Sequence, residues 1–376
     1  MAILKKLLSL IMNSSKQSVL CQHAANKGRR ELFQHRRIFC DTRPEVVATC
    51  PTMSHLSSLD LIKSTLKEDE SRAHVFVIFG ASGDLAKKET YPAMWWLFRD
   101  DLLPHNTYFV GYARSALNVQ RIRERIEPQM KPEPAHSEKL EEFWMKNFYI
   151  KGDYSEPEGF KELNQFIGSR WGENVNRIFY FATPPSVYIP LATNIHEYCL
   201  PKNTSSWARL IIEKPFGHNL ASSNELSDHL TALYSEDQIY RIDHYLGKEM
   251  VQNLIILRFT NRILHALWNR EHIHNVTITL KEPFGTEGRG GYFDAYGIIR
   301  DVVQNHLIQV LCLIAMETPR TLKADDIRDE KVKVLRCVPP VAPEDVVIGQ
   351  YVADPNADGP PASMSYTDDP TVPKDE

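Results

Sequence analysis

The chain has 376 residues, 43% of them apolar and 24% charged, with a net charge of −4. That balance is ordinary for a folded protein with room for two domains, and it gives no basis for nucleic acid or an anionic membrane as the main partner. Six scattered cysteines without paired spacing (Cys21, Cys40, Cys50, Cys199, Cys312, Cys337) argue against a disulfide scaffold or a zinc site and fit a reducing compartment. No uninterrupted apolar run reaches the ~18 residues of a spanning helix, so a soluble, cytoplasmic protein without a bound metal is expected.

Residues 1–72 read as a disordered leader. Lys5, Lys6, Lys16, Lys27, Arg29, Arg30, Arg36 and Arg37 face a single acid, Glu31, before Asp41. Such a basic, acid-poor segment is either a mitochondrial transit peptide or an extended start upstream of Met53; Leu7 to Met12 is too short for a signal-peptide core. Structure begins at His74–Phe79, a buried strand by its short β-branched and aromatic run. The turn Gly80-Ala81-Ser82-Gly83-Asp84-Leu85-Ala86 follows, then a helix through Trp95 and Trp96. Strand, glycine turn and helix together place backbone N–H groups where a pyrophosphate would sit, although Ser82 and Leu85 occupy the second and third positions of the usual glycine pattern.

A second strand, Tyr108–Val110, leads to Arg114 and Ser115. An NAD-specific protein would carry an acid there, so NADP is favoured; the alternative is a surface arginine. Arg121 to Met145 reads as a charged helical crossover broken by Pro128, Pro132 and Pro134. Arg177–Ala182 is the next strand, followed by a helix from about Val187 to Cys199. Leu210–Ile212 is another strand, ending on Glu213-Lys214-Pro215, where the proline holds Lys214 extended, across a bond that is trans or cis. Lys214 there either serves a ligand or pairs with Glu213. This alternation predicts a Rossmann-type doubly wound parallel sheet over residues 73–241, with a helix at Ser222–Tyr234. Over 242–376 the pattern turns α+β, with a half-buried strand at Val276–Leu280 and a lone strand-like stretch at Val346–Val352. A broad apolar helix runs from Ile298 to Ile314, carrying His306 beside its apolar face and Asp301 near its start. From Pro339 onward periodicity fades into what reads as a linker.

The densest cluster of chemistry is Arg241-Ile242-Asp243-His244-Tyr245-Leu246-Gly247-Lys248-Glu249. His and Lys are donors suited to phosphate or sugar oxygens, and a glycine lets backbone approach a ligand. The alternative is a charged surface turn. Together with Gly80–Lys87, Gly111–Ser115, Glu213–Gly217 and Asp301-Val302-Val303-Gln304-Asn305-His306, this stretch resembles glucose-6-phosphate dehydrogenase, in the family's order and from about His74 to Glu376. The resemblance implies NADP-dependent oxidation of glucose 6-phosphate at C1. It makes His306 the general base, oriented by Asp243. It places His244, Tyr245 and Lys248 on the sugar phosphate, Glu282 and Asp301 on the sugar hydroxyls, and Lys214 between substrate and nicotinamide. The glycine turn (Gly80, Ala81, Ser82, Gly83, Asp84, Leu85, Ala86, Lys87), Arg114 and Tyr188 then hold the cofactor.

Two departures from the family pattern, His218-Asn219 and Ala295-Tyr296, flank these positions. Family members also continue beyond Glu376 into a large antiparallel sheet and a dimer surface. The chain is therefore expected to hold a whole coenzyme domain and an incomplete α+β domain with a mainly antiparallel sheet, to bind NADP weakly and to turn over little. Two other readings stand beside this one: a non-catalytic NADP-binding fragment, and a hexose-6-phosphate dehydrogenase of the secretory pathway. The second needs a signal peptide that residues 1–30 do not supply.

Overall fold

The computed structural model describes residues 72–374 except 204 and 322, and the leader expected over 1–72 lies outside the described residues but for Arg72. Two compact units divide between Gly247 and Lys248. The first is built on six strands: β1 (Ala73–Phe79), β2 (Thr107–Ala113), β3 (Asn147–Lys151), β4 (Val175–Phe181), β5 (Ala208–Ile212) and β6 (Ile239–Arg241). They form one sheet in the order β3-β2-β1-β4-β5-β6, and every pairing is parallel.

Side-chain alternation sends the strand residues to two cores. Phe76 and Ile78 join Phe109, Ile178, Tyr180 and Ile211 under α1 (Tyr91–Arg99), α2 (Val119–Met130) and α3 (Ser137–Met145). On the other face Val75, Val77 and Phe79 join Val110, Phe179 and Leu210 under α4 (Pro157–Trp171), α5 (Tyr188–Tyr198) and α6 (Leu220–Leu233). A sheet buried on both faces needs apolar residues at successive positions, which is why the strands read as unbroken apolar runs. The expected doubly wound parallel sheet is the one that forms.

Three local differences appear. None of β3, β6 and α4 was anticipated. Pro128 lies inside α2; being in the last turn, it leaves the helix intact until Lys131 turns the chain with a left-handed φ of 47°. Asn219, one of the departures from the family pattern, is the N-cap of α6, its side chain accepting from Ser222 N at 3.0 Å.

The second unit is helical among its described residues: α7 (Glu249–Thr260), α8 (Arg262–Leu267), α9 (Gly290–Ile298), a continuation over Ile299–Leu307, α10 (Ile308–Ala315) and α11 (Ala324–Cys337). No strand forms there among those residues, so the expected antiparallel sheet is not observed. Val276–Leu280 and Val346–Val352 have the composition of strands but no ladder. An alternating segment becomes a strand only when a neighbour takes its N–H and C=O groups, and Val347 is 100% exposed.

The presumed linker, by contrast, folds back: Tyr366 and Val372 are buried, as is the carboxylate of Asp369. Gly290–Ala315 is helical on either side of a kink at Gly297, and the 26 residues together are long and apolar enough by length and composition alone to cross a membrane.

Candidate functional site

In the first unit the glycine turn sits at the carboxyl end of β1, beside the end of β4. That is where the strand order reverses and ligands bind in open α/β sheets. Gly80 donates its N–H to Tyr112 O and Ala182 donates to Phe79 O, both at 2.9 Å, and Gly83 N–H closes the turn on Gly80 O at 2.8 Å. Gly80 adopts φ +83°, and a Cβ there would lie 2.2 Å from Ala182 O; only glycine fits. Ser82 and Ser115 meet hydroxyl to hydroxyl at 3.2 Å, and Tyr149 donates its hydroxyl to Ser115 O at 2.6 Å. Arg114 is exposed just past β2, its guanidinium 5.5 Å from the centre of the Tyr154 ring. Asp84 pairs with Lys88 at 2.9 Å on the exposed side of the turn. Among the sequence-selected turn residues Ala86 is buried, while Lys87 is half-buried and Leu85 exposed.

The Lys214–Pro215 peptide is cis. Behind it, Tyr188 is fully buried and donates its hydroxyl to Glu213 O at 3.0 Å. Tyr180 donates to Glu213 Oε1 at 2.5 Å. Burial pushes the Glu213 carboxyl up, opposed by the Tyr180 hydrogen bond and the Lys214 charge. Tyr188 therefore braces the Glu213-Lys214 corner through its side chain.

The nine-residue stretch divides between the units. Ile242 is buried and donates to Ile212 O at 3.0 Å, continuing the line of β6. Asp243 then accepts Tyr245 N–H at 3.0 Å, which tightens the turn and puts the His244 and Tyr245 rings 5.2 Å apart. Arg241 is committed to Glu236 at 2.8 Å. Lys248 opens α7 in the second unit.

There His306 is 3% exposed. It ends a rare segment: Ile299–Leu307 winds as a π-helix, just after Gly297 breaks the helix axis with φ 69°. In α winding, positions five apart diverge by roughly 140° around the axis. The wider i→i+5 winding brings them close to line. Asp301 and His306 are five apart, so their positions fall on one side of the helix. A second π segment, Ala86–Thr90, follows the glycine turn, and such windings concentrate at functional sites. Asp301 accepts a hydrogen bond from the Tyr292 hydroxyl at 3.0 Å. Glu282 is exposed on the irregular stretch between α8 and α9, and Asp243, the expected partner of His306, belongs to the first unit.

Residues 77–253 match the glucose-6-phosphate dehydrogenase NAD binding domain, and residues 255–376 match the C-terminal domain of the same family. The chain belongs to the glucose-6-phosphate dehydrogenase family. It is 57% identical over 306 residues to glucose-6-phosphate 1-dehydrogenase of Takifugu rubripes, covering 81% of this chain and 57% of that protein. With the Drosophila melanogaster enzyme of the same name it shares 54% over 330 residues, 85% of this chain and 63% of the relative. Among solved structures, a glucose-6-phosphate dehydrogenase in complex with its substrate glucose-6-phosphate superposes with a TM-score of 0.73 at 46% identity, covering 81% of this chain and 63% of that one. Glucose-6-phosphate 1-dehydrogenase from Mycobacterium avium gives 0.69 at 37% identity, with the same coverage. The chain thus spans about three fifths of the length of these relatives.

Within this dehydrogenase family frame, three residues that sequence reasoning missed stand out: Tyr180, Tyr292 and Asp369. Each acts on a residue that was singled out or on its loop, and each reaches it from elsewhere in the chain. Spacing carried no signal for any of them.

Proposed function

We propose that the chain oxidises D-glucose 6-phosphate at C1 to the 6-phosphogluconolactone, with NADP as hydride acceptor, the first step of the pentose phosphate pathway. What supports this is family membership over both halves of the chain, together with a side chain of the required type at every position the chemistry uses. The residues present fit the dinucleotide: a glycine turn closed at the strand-order reversal, two serine hydroxyls and an arginine where an acid would select NAD. The turn from Gly80 to Lys87 and Arg114 would hold it, NADP being preferred through Arg114 and Ser115. Bound there, NADP supplies the site that takes hydride from C1.

The remaining roles belong to the protein. His306 accepts the C1 hydroxyl proton as the carbonyl forms, the general-base task that histidine performs most often. Asp243 orients that imidazole and stabilises its cationic form. His244, Tyr245 and Lys248 bind the phosphate as hydrogen-bond donors and a point charge. Glu282 and Asp301 accept from the sugar hydroxyls, and Lys214, held by the Glu213 corner, lies between sugar and nicotinamide. The cytoplasm is the proposed compartment, from the scattered cysteines.

The test is His306→Asn in the purified chain. Glucose 6-phosphate-dependent NADPH formation should fall by ~10²–10⁴, while NADP affinity by calorimetry stays within about twofold. Undiminished turnover overturns the role of His306. Binding of NADP with no sugar phosphate binding by the unsubstituted chain overturns the enzyme reading in favour of a cofactor-binding fragment.

A further inference from the structure

The loop Gly285–Gly291 joins the stretch carrying Glu282 to the helix carrying Asp301 and His306. The Tyr351 hydroxyl accepts Thr286 N–H at 3.0 Å, and one carboxylate takes three further donors of the loop. Asp369 Oδ2 accepts from Thr286 Oγ1 at 2.6 Å, Gly288 N at 2.7 Å and Gly290 N at 3.2 Å. Its Oδ1 accepts from Thr371 N at 2.9 Å and Thr371 Oγ1 at 2.7 Å. Thr371 Oγ1 in turn accepts from Gly291 N at 3.0 Å. The residue preceding α9, Arg289, makes no side-chain cap, so the N–H groups of Gly290 and Gly291 in the first turn, which every helix must satisfy, are met here by two side chains, Asp369 and Thr371, some 80 positions later in the sequence. A Cβ on Gly290 would lie 2.9 Å from Asp369 Cγ; the contact is close because that position has no side chain.

The clamp does not stop at the helix end. Tyr292, two residues beyond Gly290, donates its hydroxyl to Asp301 Oδ1 across the Gly297 break. Tyr366, three residues before Asp369, donates to Asp294 at 2.9 Å. We propose that Asp369 is a positioning residue for sugar recognition: by capping α9 it fixes Tyr292, and through Tyr292 it fixes the carboxylate of Asp301. This deepens the proposed function and rests on it.

The Thr286 and Thr371 hydrogen bonds also hold the Asp369 carboxyl well below the usual carboxylate range. The clamp therefore stays anionic through the working pH range. Its bonds are of the charge-assisted kind, roughly twice as strong as neutral ones.

The test compares the purified chain with Asp369→Ala, Tyr292→Phe and the double variant, measuring affinity for glucose 6-phosphate and for NADP separately by calorimetry. Each single variant should weaken sugar phosphate binding about tenfold, the size of one lost charge-assisted hydrogen bond, and leave NADP affinity within about twofold. The double variant should be no weaker than the weaker single one, because both lie on one path. A merely structural role would lower thermal stability without separating the two affinities. Should Asp369→Ala fail to fold, Thr286→Val, which removes one donor to the same oxygen, is expected to move sugar phosphate affinity the same way by a smaller factor. Unaltered sugar phosphate affinity in the folded variants, or additive losses in the double variant, overturns the inference alone. No sugar phosphate binding by the unsubstituted chain overturns the proposed function, and the inference with it.

Discussion

Glu213 sits under opposing influences: burial raises its pKa, while the Tyr180 hydroxyl and the Lys214 ammonium favour the carboxylate. Burial is the largest of these, so the folded protein holds this proton more tightly than the unfolded chain does. Its contribution to stability is therefore fully present below the usual carboxylate range and is lost as pH rises through the raised value. Glu213→Gln cannot titrate. The unsubstituted chain should lose melting temperature relative to that variant as pH rises from roughly 4 to neutrality; parallel melting curves over that range would remove burial as the dominant influence. The Glu213-Lys214 corner was legible as a strand end because Glu-Lys-Pro is a local pattern. Tyr180 was not, since it meets Glu213 from a neighbouring strand 33 positions away. Single-residue roles are hidden from the sequence when strand register supplies the partner.

At the scale of the element, strand–turn–helix at the carboxyl end of β1 was readable because all its parts are contiguous. The space around its two glycines differs sharply. Gly80→Ala would place a methyl group 2.2 Å from the Ala182 carbonyl oxygen at φ +83°, whereas a methyl at Gly83 would meet its nearest atom at 3.1 Å, without a positive φ. Gly80→Ala is therefore expected to destabilise by about 2–4 kcal/mol and to weaken NADP binding at least ~10-fold, or ~1.4 kcal/mol. Gly83→Ala should cost less on both counts, and equal losses from the two would show that the turn is not gripped at Gly80. Val276–Leu280 failed for the opposite reason: alternation records which side chains could be covered, not whether a neighbouring strand exists to pair with. The π winding over Ile299–Leu307 was equally invisible, because an apolar face five residues wide reads the same under 3.6-residue periodicity. It is this winding that brings the positions of Asp301 and His306 to one side of the helix.

For the molecule as a whole, the alternation of elements gave the parallel sheet, while the antiparallel sheet expected after it is not observed among the described residues because its strands were inferred from composition rather than from pairing. The two units differ in how well they cover their apolar residues. β1 and β4 are sealed on both faces, with every apolar side chain from Val75 to Phe79 at 1% exposure or less. In the second unit Met250 is 84% exposed, Ile263 72% and Ile348 78%, and α7 buries only Val251 and Arg258. Local opening follows buried contact density. Amides of β1, β2 and β4 should therefore be the last to exchange with deuterium, and those of α7 and α8 should exchange at least ~10-fold faster. NADP, which stabilises only the state it binds, should slow exchange across the glycine turn and the ends of β1 and β4 while leaving α7 and α8 unaltered. Mass spectrometry of peptides covering these segments reads all of this directly. Equal protection of α7 and β1 in the free chain would mean that the exposed apolar face of the second unit is covered in solution, and the expected order of opening would fall.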